Sequence, residues 1–104
     1  MSKTENIEKM LKIIENAWSN TPSIIISTSD YVYCLYPTDN SKETWVEASF
    51  TLQDASLEER TLSPKEALMY LLEEITHGLP GYVDLPIALE LSDLEKVKEK
   101  VKGA

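Results

Sequence analysis

Cysteine and histidine each occur once in this chain of 104 residues, and glycine only three times. A lone Cys34 excludes an internal disulfide, and an unpaired thiol suits a reducing compartment. One histidine, His77, excludes the paired Glu-x-x-His helices of carboxylate-bridged metal centres. There is no phosphate-cradling glycine loop, nucleophile elbow or zinc-ligand array. No apolar run approaches the roughly 18 to 20 residues of a membrane span, and the opening MSKTENIEKM lacks the apolar core of a signal peptide. A cytoplasmic protein is expected.

Positive charge is scarce as well. Ten basic residues face eighteen acidic ones, a net charge of −8. Between Lys65 and Lys96 there is no Lys or Arg, while Glu66, Glu73, Glu74, Asp84, Glu90, Asp93 and Glu95 fall in that interval. A surface built from this segment repels phosphate, so direct nucleic-acid binding and anionic membranes are both disfavoured.

What is present reads as a globular chain: 42% apolar and 27% charged residues, enough for a buried core without metal or disulfide. Residues 4–19 place Ile7, Met10, Leu11, Ile13, Ile14, Ala17 and Trp18 on one helical face. Ser2 with Glu5 has capping-box spacing, and Thr4 is an alternative cap; Pro22 closes the helix. The period then changes. SIIIST, YVYCLY and TWVEASFTL are β-branched, aromatic or alternating, and the last puts Val46, Ala48, Phe50 and Leu52 on one side and Trp45, Glu47, Ser49 and Thr51 on the other. Ser29 with Asp30, and PTDNSK with Asp39 and Asn40 suited to left-handed geometry, supply the turns.

SPKE at residues 63–66 is a helix start: serine cap, proline at the first helical position, glutamate three residues after the cap. Ala67, Leu68, Leu71, Leu72 and Ile75 form its expected buried stripe. His77, Gly78 and Pro80 end it, the imidazole facing the negative end of the helix dipole. Residues 82–91 alternate like a strand, yet Ile87, Leu91 and Leu94 also have helical spacing; a fresh capping box at Ser92 and Glu95 favours the strand, placed by Pro86 at a sheet edge. The last helix, about 93–102, sets Leu94, Val97 and Val101 against lysines. The expected fold is a single α+β domain over 1–104, a three-stranded antiparallel meander with helices on one face, order α-β-β-β-α-(β)-α.

Helix, three-stranded meander and helix, with SPKEALMYLLEEI opening the second helix, resembles the frame of a double-stranded RNA binding domain. That family brings a lysine cluster to the start of this helix. Here Lys65 stands alone before Glu66, so the resemblance implies the frame without the phosphate grip.

Chemistry is sparse. Glu74 and His77 in EEITH, with Asp84, have the residue types of a metal site, but a solvated helix end capped by histidine accounts for them. Cys34, between Tyr33 and Leu35 with no neighbouring cation, reads as a small core hydrophobe, and a Cys34–His77 dyad is the thiol-enzyme alternative. No enzymatic activity, cofactor or bound metal is expected. Tyr31, Tyr33 and Trp45 share a sheet face rimmed by Glu43 and Glu47, which is a protein-binding or self-association surface if bare and a core edge if covered. The leading expectation is a small acidic regulatory or adaptor protein that binds a protein with a basic surface, through Tyr31, Tyr33, Trp45, Glu47, Glu73 and Glu74. A sharper version makes the acidic segment a nucleic-acid mimic. The alternatives are a homodimer or larger homo-oligomer assembling through the sheet face, and a metal- or thiol-dependent enzyme around Glu74, His77 and Cys34.

Overall fold

The computed structural model describes residues 2–20, 23–76, 82–84 and 91–104, with 71–76, 82–84 and 91–93 as backbone. The first helix, α1, is Lys3–Ser19. Ser2 is its cap, its hydroxyl accepting the Glu5 N–H at 3.1 Å. At the other end Asn20 donates both its backbone and its side-chain N–H to the Asn16 carbonyl at 2.9 Å, and the Ser23 hydroxyl donates to the Ala17 carbonyl. These bonds satisfy carbonyls that a helix terminus leaves open. Of the expected stripe, Met10, Ile13, Ile14 and Ala17 are buried, and Ile7, Leu11 and Trp18 are partly buried against the same core.

Four strands follow: β1 Ile24–Ser27, β2 Tyr31–Pro37, β3 Trp45–Thr51 and β4 Ser56–Leu62. The first hairpin turns on Thr28, whose hydroxyl oxygen accepts the N–H groups of Asp30 and Tyr31, both at 3.1 Å. The second turns through Asp39, whose carboxylate accepts the Ser41 N–H at 2.9 Å and the Ser41 hydroxyl. The left-handed residue there is Lys42, φ 57°, and not Asp39 or Asn40. Asp39 is engaged in an Asx turn, and the reversal falls after it. Ala55, φ 55°, is the second left-handed position and ends the turn into β4.

The remaining elements are α2 Pro64–Thr76, β5 Tyr82–Asp84 and α3 Leu91–Lys102. The capping box of α2 is formed as expected, with the Glu66 N–H on Ser63 Oγ at 3.3 Å and the Ser63 N–H on Glu66 Oε1 at 3.3 Å. The edge strand expected in 82–91 is present but short, and Leu91 belongs to the last helix. His77, Gly78, Pro80, Pro86, Ile87 and Leu89 lie outside the described residues.

The fold is α+β as expected, with one strand, β4, more in the meander than the three expected, and one open sheet runs β4-β3-β2-β1-β5 with every neighbouring pair antiparallel. The fourth strand β4 departs from the three-stranded frame of a double-stranded RNA binding domain. On one sheet face Val32, Cys34, Tyr36, Ala48 and Phe50 pack under Met10, Ile13, Ile14 and Ala17 of α1 and Leu94, Val97 and Val101 of α3. Lys98 of α3 reaches Glu15 of α1 at 2.9 Å across the helix pair.

The expectation that all helices cover one face needs correction for α2. Its Ala67 packs on the opposite face with Leu35, Trp45 and Leu62, flanked by Tyr33 and Tyr70. Topology supplies the reason. β4 and β5 run in the same direction at opposite edges of the sheet, so the connection between them must cross it. The 13 residues of α2 span about 20 Å, close to the roughly 19 Å of four inter-strand steps.

Candidate functional site

Strand register brings Tyr31, Tyr33 and Leu35 of β2 to the same face as Trp45, Glu47, Ser49 and Thr51 of β3, so the three aromatic residues do share a face. From β4 the same face receives Leu62, Arg60, Glu58 and Ser56. It is not bare. Trp45 is 7% exposed, its indole N–H donates to the Lys42 carbonyl at 2.9 Å, and its ring sits in the core beneath α2. Ile24 and Ile26, in register with Leu35 and Tyr33, are buried on this face too. Only Tyr31 and Tyr33 among the three aromatics keep partial exposure.

At the centre of the uncovered portion lies a clamp. The Tyr33 hydroxyl donates to Glu47 Oε2 at 2.6 Å, and Arg60 donates through Nε and Nη2 to Glu47 Oε1 at 2.9 and 2.6 Å. Arg60, the chain's only arginine, also stands over the Tyr70 ring, 4.7 Å from its centroid. The Glu47 carboxylate and then Tyr70 hold the guanidinium proton more tightly than usual. One carboxylate thus joins β2, β3, β4 and, through Arg60, α2. Both its oxygens are occupied, which suits a structural tie better than a proton shuttle. Beside it a cleft of about 390 Å³ is lined by Glu47, Ser49, Glu58, Glu59 and Arg60.

Cys34 faces the other way, fully buried under α1 and α3, and burial pushes its thiol well above the ordinary range. The thiolate needed for nucleophilic attack is therefore strongly disfavoured. Of the proposed metal residues, Glu74 and Asp84 are described as backbone only and His77 lies outside the described residues. Among the described residues no group of three His, Cys, Asp or Glu is placed to hold a metal ion, and no helix is long and apolar enough to cross a membrane.

Sequence reading missed two features. Leu68, expected in the buried stripe of α2, is 57% exposed, and its neighbour Met69 is 55% exposed. With Ala67 and Tyr70 turned to the sheet, the next positions around the helix must face outward. Arg60 was missed because β4 was missed. Its signal was the leucine pair Leu57 and Leu62 around a charged run, which does not alternate. Glu73 and Glu74 lie near the C-terminal end of the same helix as Leu68 and Met69, and their side chains lie outside the description. Compared with protein-family models, with characterised proteins and with solved structures, the chain matches none.

Proposed function

We propose that this chain is a small acidic protein-binding module of regulatory or adaptor type, and that the outer side of α2 is its contact surface. One observation carries the reading: Leu68 and Met69, adjacent and each more than half exposed, stand in the segment 66–95 that holds no Lys or Arg. Large apolar side chains in a segment rich in carboxylates, with Lys65 the one cation nearby on α2, suit a partner with basic residues around an apolar anchor. Methionine adapts its shape to such an anchor at small cost. The aromatic sheet face is the weaker candidate, since Trp45 is buried and Glu47 is neutralised by Arg60.

The test pairs loss of surface with preservation of fold. Wild type and a Leu68→Asp/Met69→Asp variant, matched by thermal melts, are used to capture proteins from native extract at low and raised salt. A partner retained by wild type, lost by the variant, and then shown with purified components to associate more slowly as salt rises supports the reading. Equal capture by both proteins, or an association rate indifferent to salt, refutes it.

A further inference from the structure

We propose that β4 is a self-pairing edge, joining the β4 of a second copy about a two-fold axis at Glu59 to give a sheet continuous across two chains. β4 is the terminal strand of the sheet. It is seven residues long, contains no proline, and presents its outer backbone groups to no described residue. Such an edge is a template for another strand unless its side chains forbid pairing. Here the charges specify a register instead.

Two copies related by an axis normal to the sheet pair antiparallel, and like faces must coincide, so one residue lies opposite itself. Centring on Glu58 opposes two carboxylates with no paired cation among the described residues, centring on Arg60 opposes two guanidiniums, and centring on Glu59 opposes two carboxylates that are each already paired with Lys9. Centring on Glu59 uses the whole strand. Ser56 then meets Leu62, Leu57 meets Thr61, and Glu58 meets Arg60 twice, with roughly six to eight inter-chain backbone hydrogen bonds.

The ion pairs already present fit that register. Glu59 is matched within its own chain by Lys9 at 2.6 Å, so the axis carries two carboxylates and two ammonium groups. Arg60 holds Glu47, and its planar guanidinium with five donors can take a second carboxylate. Glu58, exposed on the same face, makes no hydrogen bond or ion pair with any described residue. The second copy supplies a cation that no described residue of its own chain gives it.

Sedimentation of the full chain up to roughly 1 mM is the direct measurement, since a contact of this size assembles weakly. Wild type should form a dimer, and Glu58→Arg, which sets two arginines face to face, should weaken it at least about tenfold while the melting curve is kept. Under mild oxidation Glu59→Cys should form a covalent dimer, because its Cα atoms lie about 4.5–5.5 Å apart across the axis, within disulfide reach. Thr61→Cys, with its twin roughly 13 Å away, and wild type, whose Cys34 is buried, should not. A wild type that stays monomeric throughout overturns the proposal. So does a dimer that is indifferent to Glu58→Arg or leaves Glu59→Cys unlinked.

Discussion

Replacing Glu47 by alanine removes the one acceptor shared by Tyr33 and Arg60, and the cost follows from how the two bonds differ. The Glu47 side chain is 15% exposed and takes the Tyr33 hydroxyl at 2.6 Å on the shielded side. A hydrogen bond to a charged group of this kind contributes about 1.5–3 kcal/mol. Arg60 is half exposed and holds Glu47 from the solvent side, so its share is small and screened by salt. Glu47→Ala is therefore expected to cost about 2–3 kcal/mol, which in a domain near 100 residues lowers the melting temperature by roughly 10–20 °C. Tyr33→Phe should reproduce most of that loss on its own, while Arg60→Met barely moves the midpoint. Urea titration of the three variants at low and high salt measures the ordering. An Arg60→Met loss equal to that of Glu47→Ala, or a Glu47→Ala loss below about 0.5 kcal/mol, would refute the assignment of Glu47 as the tie between strands.

Three further outcomes are expected. Ala55 combines φ 55° with a methyl buried in the core, so Ala55→Gly trades about 1 kcal/mol of relieved left-handed strain against about 0.8 kcal/mol of lost methyl burial and should leave stability nearly unchanged. Ala55→Val, which adds bulk and β-branching at that φ, should destabilise clearly in the same urea assay. Cys34, with no exposed surface, should react with a thiol reagent at least about a thousandfold more slowly in the native protein than in urea; rapid native labelling would contradict its placement. Asp39 and Asp54 are held below the ordinary carboxylate value of 3.8, first by the hydroxyls of Ser41 and Ser56 and then by their backbone N–H groups. A depressed folded value means stability that is present above pH 3.8 and lost as pH falls through the folded value. Asp39→Asn and Asp54→Asn should accordingly flatten the acid limb of a stability profile taken below that pH.

Most of the fold was legible because its signals were local. The Ser63 and Glu66 capping box, the period of Met10, Ile13, Ile14 and Ala17, and the alternation of residues 45–52 each need only near neighbours to act. β4 was not legible for the complementary reason. Glu58, Glu59 and Arg60 sit in a strand because Ala48, Glu47 and Ser49 lie beside them in register, with Lys9 and Glu47 as ion partners, and none of these is adjacent in sequence. Missing that strand also hid where α2 lies, since a helix following a third strand has no wide sheet to cross. The error at Leu68 came from the same source: an apolar helix position reads as buried unless the covering surface is known to end before it.

Where recognition takes place follows from how the two faces are used. α1 and α3 cover one face completely enough to bury Cys34, Val32, Ala48 and Phe50, and α2 covers enough of the other to bury Trp45 and Leu62. With one sheet face covered and the other covered in part, the more open surfaces for a partner are the outer sides of the helices and the edges of the sheet. On the helices, Leu68 and Met69 are the large apolar side chains exposed among the described residues, and an anchor for another protein needs such groups at its centre. At the edges, β5 is three residues long and β4 is seven, so backbone pairing of useful length is available at β4. The two surfaces call for different partners, a basic apolar protein for α2 and a copy of itself for β4. Their tests are independent: an Asp pair at residues 68 and 69 leaves the β4 register untouched, and Glu58→Arg leaves the outer side of α2 unchanged.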